Sequence, residues 1–257
     1  MPMQSGSSGP ISKPARHGVA RAISKSGQGS RTQAAEWVRS GRVSVNGRVV
    51  SDPEFPVRIG VDRIRIEGSE LVVAERVVLM LNKPRGLVTS ARDEQGRDTV
   101  YRCLEGADLP WLAPVGRLDK ASEGLLLMCN DPEWAARITD PADGPDKTYR
   151  VQVDCIPDAA LLAELRHGAF DDGQWLSAKS VLLLRAGTRN AWLEIVLDEG
   201  KNRQIRRLLS VFGIGVLRLI RVAIGSLVLG DLPKGQWRRL SEEQVLSLAP
   251  ASSASQR

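Results

Sequence analysis

The run Gly124-Leu125-Leu126-Leu127-Met128 is apolar at every position after its glycine. A half-exposed strand would alternate and an amphipathic helix would skip positions, so a short unbroken run of this kind reads as a strand buried in a core. Just ahead of it stands Gly116-Arg117-Leu118-Asp119, which puts a carboxylate at the mouth of that core element. Such placement costs desolvation energy unless a cation or hydrogen bonds compensate it. The residues alone leave two readings open, a satisfied structural ion pair or a functional acid.

At 257 residues the chain exceeds a typical domain of roughly 100–200 residues, so one large domain, or a small one joined to a larger one, is expected. No apolar run approaches the roughly 20 residues that a membrane helix needs. Residues 1–15, rich in Ser, Gly and Pro and without the apolar centre of a secretory signal, read as a disordered lead-in, and residues 249–257 as a frayed tail. The cytoplasm is the expected compartment. Cys103, Cys129, Cys155, His17 and His167 are isolated from one another and form no metal-ligand spacing, so no metal is expected.

The net charge of +6 is informative through its distribution, because residues 10–50 hold eight Lys or Arg against the single acid Glu36. A localised excess of this kind is the electrostatic footprint of a nucleic-acid-binding module, although a solvated basic surface has the same composition. Val19 and Ile23 suggest a helix within 16–25, and Gly27 to Gly29 break it. Ser30 and Gln33 form a capping box for a second helix carrying Ala34, Trp37 and Val38 and stopping at Gly41. Val43, Val45 and Val49 alternate around Asn46-Gly47, a hairpin signal repeated around Gly68. In helix order, in SRTQAAEWVRSGRVSVNGRVV and in the later DRIRIEG, residues 16–74 resemble the S4 RNA-binding module. That resemblance implies a paired-helix face gripping structured RNA through shape and backbone, with Arg31, Arg39, Arg42 and Arg48 as candidate contacts.

Residues 77–248 read as a separate α+β domain, in which VVLMLNKPRGLVTS forms strand, loop and strand. Further strands are expected at 124–129, 149–153, 181–184, 191–197 and 216–220, and helices at 132–139, 158–166 and 201–212. Four stretches in this order, NKPRG, GRLDKASEGLL, DKTYRVQV and DEGKNRQIRRLL, resemble the pseudouridine synthases that modify ribosomal RNA and carry an S4 module in front. QWRRL, residues 236–240, looks like that family's closing strand, and Ser122 departs mildly from the family's usual threonine.

The resemblance implies a mixed, largely antiparallel sheet and a catalytic set of Asp119, Tyr149 and Arg206, with Arg206 paired to Asp119 and Tyr149 against the uracil face. It implies no cofactor. Arg117 would fill the gap left by an extruded nucleotide, while Lys83, Arg85, Lys201, Arg203, Gln204 and Arg207 would bind substrate. The expected reaction breaks the N1–C1′ bond of a uridine, turns the base and joins C5 to C1′. The expected partner is ribosomal RNA or a pre-ribosomal particle, with a lean towards the large subunit and a monomeric enzyme. An alternative is an RNA-binding or assembly protein on the same scaffold. A nucleoside hydrolase would want a second partnered carboxylate, for which no motif is visible.

Overall fold

The computed structural model describes residues 16–249 apart from Arg92 and Glu94, so the tails placed at 1–15 and beyond Ala249 lie outside the described residues. The chain divides into two units between Ala74 and Glu75. In the first, β1 (His17–Gly18) leads into α1 (Val19–Lys25) and α2 (Arg31–Arg39), followed by β2 (Val43–Val45), β3 (Arg48–Val49), β4 (Pro56–Val57), β5 (Ile64–Ile66) and β6 (Ser69–Glu70). Ser30 caps α2 by accepting from the Gln33 amide at 3.0 Å, a contact worth about 1 kcal/mol. The Asn46-Gly47 turn takes φ of 50° and 84°, the left-handed pair a tight hairpin needs. Strands order β3-β2-β5-β6, and Val19, Ile23, Ala34, Val38, Val43 and Ile64 bury the core beneath them.

The second unit contains β7 (Val78–Lys83), β8 (Ala113–Val115), β9 (Glu123–Cys129), α3 (Pro132–Thr139), β10 (Lys147–Val153), α4 (Ala159–His167), β11 (Ala169–Asp171) and β12 (Gln174–Leu176). Then come β13 (Ser180–Ala186), β14 (Ala191–Leu197), α5 (Gln204–Val211), β15 (Val216–Ile224), β16 (Leu227–Val228), β17 (Trp237–Arg239) and α6 (Glu242–Leu248). A sheet runs β13-β14-β10-β15-β9-β7-β17, with β16 on β15 and β8 on β9. It is mixed: β15 and β9 run parallel, whereas the other described pairs in this sheet are antiparallel.

The two buried strands explain their own sequences. In β9, Leu125, Leu127 and Cys129 enter one core cluster and Leu126 and Met128 another, and in β7 Val78 and Met80 part from Leu79 and Leu81 in the same way. A strand covered on both faces has no polar side to show, hence the unbroken apolar run. By contrast β14 alternates buried and half-buried residues, and its Leu193, Ile195 and Leu197 pack with Val151 and Val153 of β10 and Ile205, Leu208 and Leu209 of α5. That packing seats α5 on one face of the sheet.

Three expectations need correction. Leu87 to Ser90 form no second strand; Val88 makes a single bridge to Thr99, and Thr89 instead donates its hydroxyl to the Leu118 carbonyl at 2.7 Å. The helix expected over 201–212 begins only at Gln204, because Arg203 takes a left-handed φ of 49°. Ala249, placed in the tail by composition, is buried with Val245 and Leu248 of α6.

Candidate active site

The loop from β8 to β9 carries Asp119, and its backbone is held at each residue from Leu118 to Ser122. Thr89 bonds Leu118, Gly86 donates to the Lys120 carbonyl at 2.8 Å, and Arg206 Nη2 donates to the Ala121 carbonyl at 3.2 Å. Lys83 Nζ donates to the carbonyls of Asp119 at 3.2 Å, Ser122 at 2.8 Å and Pro84 at 3.1 Å. The Ser122 amide closes the turn on the Asp119 carbonyl at 2.9 Å. A loop tied at every residue presents its one acidic side chain in a fixed place, which is what a reacting group requires.

Asp119 opens onto a cleft of about 480 Å³ whose lining includes Arg117, Tyr149, Lys201, Arg203, Gln204 and Arg206. Tyr149 reaches it from β10, at the seam between two core clusters, and is half-buried. Arg203, at the cap of α5, and Arg206, within it, are positioned by a helix held through the buried Ile205, Leu208 and Leu209. Burial first, then the charge of Arg203, push the Arg206 guanidinium below its ordinary range, with Asp119 opposing them. Its Nε is buried without an acceptor among the described residues.

Several expected positions take different roles. The cation at contact distance from Asp119 is Arg203, with Nη1 at 3.7 Å from Oδ2, rather than Arg206, which acts on Asp119 through space while its Nη2 serves Ala121. Lys83 does not line the cleft; it is fully buried beneath the Asp119 loop as a backbone tether. Arg207 faces away, its Nε on Asp171 at 2.6 Å and Nη1 on Gln174 at 3.0 Å. Arg85 is exposed outside the cleft lining, and Lys201 bonds Glu199 at 2.8 Å. Gln204, although in the lining, is buried and committed to Ser177 and Glu199 at 2.9 and 2.7 Å.

In the first unit, Arg31 and Arg42 pair with Glu54 and Glu67 at 3.3 and 2.7 Å, and Arg42 lies over the Trp37 ring at 5.8 Å. These pairs are largely exposed and contribute little to stability. Arg39 and Arg48 are exposed and have no ion pair among the described residues.

The model of the RNA pseudouridylate synthase family matches residues 77–211, and that of the S4 domain matches residues 19–62. The chain belongs to the RNA pseudouridylate synthase family. The synthase is 35% identical to the ribosomal large subunit pseudouridine synthase B of Bacillus subtilis, over 89% of this chain and 93% of that one. Its counterpart of the same description from Haemophilus influenzae is 34% identical, over 88% of this chain and 65% of that one. A crystal structure of a pseudouridylate synthase aligns with a TM-score of 0.63 at 29% identity, covering 90% of this chain and 99% of that one.

Four cations of the cleft lining lie outside the residues expected from sequence, Arg97, Lys120, Lys147 and Arg221, and the last two come from the strands that hold Tyr149 and its register partner. Lys147 stands two residues before Tyr149 in DKTYRVQV, and the period of two along a strand puts both on one face. Arg221 falls one residue beyond the strand expected at 216–220, which in the structure continues to Ile224. A lone charge inside the apolar stretch LIRVAI was the available signal.

Lys83 gives the synthase a pH-sensitive support. Burial pushes its ammonium down to about 8, against the pull of the Asp119 charge. Because the folded state releases this proton before the unfolded chain does, the charged lysine weighs against folding below about pH 8, and that cost lifts between about 8 and the ordinary 10.5. Yet an amine has two N–H bonds where the ammonium has three, so one of three carbonyls loses its donor. Turnover is expected to fall as pH rises through about 8 while thermal stability does not fall with it. A pH–rate profile that stays level across that range would detach turnover from the Lys83 support of the Asp119 loop.

Proposed function

We propose that this synthase converts a specific uridine of ribosomal RNA, of the large subunit, to pseudouridine, acting as a cytoplasmic monomer. The observation that carries the reading is the convergence of Asp119, Tyr149, Arg203 and Arg206 on one cleft at the end of a rigidly tied loop. Likeness to the ribosomal large subunit pseudouridine synthases B of Bacillus subtilis and Haemophilus influenzae supports the choice of subunit. Domain roles follow the sequence boundaries, residues 16–74 gripping RNA and 77–248 isomerising the base.

A stacked uridine hides its C1′, so the nucleotide must be extruded at a cost of a few kcal/mol. Arg117, exposed at the cleft, is placed to occupy the gap, and Tyr149 to lie against the extruded ring. The Asp119 carboxylate then acts at the sugar while the N1–C1′ bond breaks, its electron pair staying with uracil. Arg203, at 3.7 Å, orients that carboxylate, and Arg206 holds its loop through the Ala121 carbonyl. The ring turns, C5 bonds to C1′, the C5 proton leaves and N1 takes one up, so no net oxidation occurs and no atoms are lost.

Mapping pseudouridines across ribosomal RNA from cells with and without this chain tests the reading: one large-subunit site should vanish in the deletion and return with the wild-type chain. An unchanged map would end it. For the first unit, removing residues 1–74 is expected to weaken RNA binding and flatten its salt dependence, by about 0.7–0.9 in log–log slope for each phosphate no longer neutralised. An unaltered slope in a binding titration would deny that Arg31, Arg39, Arg42 and Arg48 meet phosphates.

A further inference from the structure

Lys147 and Arg221 form a pair of like charges inside the cleft. Tyr149 and Arg221 are register partners on β10 and β15, and Lys147 lies on the Tyr149 face two residues earlier, so both cations stand beside the tyrosine. Arg221 is only 5% exposed; its Nε donates to the Leu125 carbonyl at 2.7 Å, and its Nη2 is buried with no acceptor among the described residues. Lys147 has no ion pair among the described residues. Burial lowers its pKa first and the Arg221 charge next, so each cation stands within the field of the other. Asp146, Asp198 and Asp140 act on Lys147 only at longer range, and Asp146 is already paired with Lys179 at 2.7 Å.

Two cations held together in a half-dry cleft, with no carboxylate in contact among the described residues, raise the free energy of the empty protein. An arrangement of this kind is complementary to negative charge that arrives with, or develops on, a ligand. A backbone phosphate fits poorly, because its flanking nucleotides need an open groove and Arg221 is nearly sealed. The extruded ring itself does fit, since it is flat, single and already placed against Tyr149.

We infer that Lys147 and Arg221 form the receptor for the detached uracil ring, pairing with the oxygens that bear its negative charge between bond breaking and bond making. This rests on the reading of the reaction given above. When N1–C1′ breaks, the electron pair left on N1 spreads to the ring oxygens O2 and O4. The two cations hold those oxygens, prevent the base from escaping and let it turn. When C5 joins C1′ and sheds its proton, N1 is protonated, the ring becomes neutral and the grip relaxes. Lys147 and Arg221 keep their own protons throughout.

The test compares wild type, Lys147→Met and Lys147→Arg on the large-subunit RNA fragment identified by the mapping, prepared with uridine or with 5-fluorouridine at the target. Fluorine stabilises the ring anion without help from the protein, and loss of the N-glycosidic nucleoside is followed by mass spectrometry under single turnover. Lys147→Met is expected to slow uridine cleavage by about 10²-fold with RNA affinity and thermal melting near wild type. Its defect should shrink to below about tenfold on 5-fluorouridine, and Lys147→Arg should recover most of the rate. Equal defects on the two substrates, or a defect confined to RNA affinity with a shallower salt slope, would overturn the inference and assign Lys147 to packing or to a phosphate. Wild-type chain that converts no ribosomal uridine brings down the underlying reading as well, and that outcome shows before any variant is made.

Discussion

Asp119→Asn is expected to abolish pseudouridine formation, lowering single-turnover rates by about 10⁴-fold or more, while RNA affinity stays within a few-fold of wild type. Asparagine keeps the shape and the reach of the side chain but removes the charge that Arg203 faces at 3.7 Å. The loop should survive the change, because its five residues are bonded through backbone atoms by Thr89, Gly86, Lys83 and Arg206, and none of those bonds uses the carboxylate. A tritium-release or mass-spectrometric assay, run beside a binding titration, separates the two effects. Turnover within tenfold of wild type would remove Asp119 from the chemistry; a parallel collapse of RNA binding would make it a structural ion pair, the other reading open to the sequence.

The second large effect concerns Gly124, where β9 meets β15. Its φ is +102°, and a Cβ added there would stand 2.2 Å from the Arg221 carbonyl oxygen and 2.9 Å from the Arg221 nitrogen. Both obstacles are backbone, so no side-chain rotation relieves them, and Gly124→Ala must open the parallel pairing of Ile220 with Glu123 and Arg221 with Gly124. A loss of at least about 3 kcal/mol is expected, lowering the melting temperature by roughly 6–12 °C in a unit of this size. Activity should fall further than stability accounts for, since the same pairing holds Arg221 and the end of the Asp119 loop in place. A melting temperature within about 2 °C of wild type would show that the strands part without cost.

The architecture was legible where the chemistry of the chain is local. Asn46-Gly47, Ser30 with Gln33 and the unbroken apolar run of β9 each state their structure within a few residues: the hairpin turn and the buried strand were found as expected, and of the expected capping box the structure shows the half in which Ser30 accepts from the Gln33 amide. The extent of α5 was less legible, because the left-handed turn at Arg203 lies on a residue type that usually avoids it. Motif resemblance brought Asp119, Tyr149 and Arg206 to one cleft but misplaced the partner of the aspartate. Arg203 and Arg206 are three positions apart, and which of them meets Asp119 depends on where the helix starts. Lys83 reads as a substrate-binding lysine in NKPRG, and only the third dimension reveals three carbonyls gathered around its nitrogen. Arg221 was hidden because its partners, Leu125 and Lys147, are far away along the chain.

The parallel join of β9 to β15 has a consequence for the order in which the molecule is made. Strands β7, β8 and β9 can associate soon after synthesis, but the neighbour that completes β9 is encoded almost a hundred residues later, after α3, β10, α4 and α5. Closing so long a stretch of chain is slow compared with forming a hairpin. A nascent polypeptide that stops short of Val216 therefore has the acidic loop and the tyrosine strand without the junction that registers them, and competence for chemistry arrives late in translation.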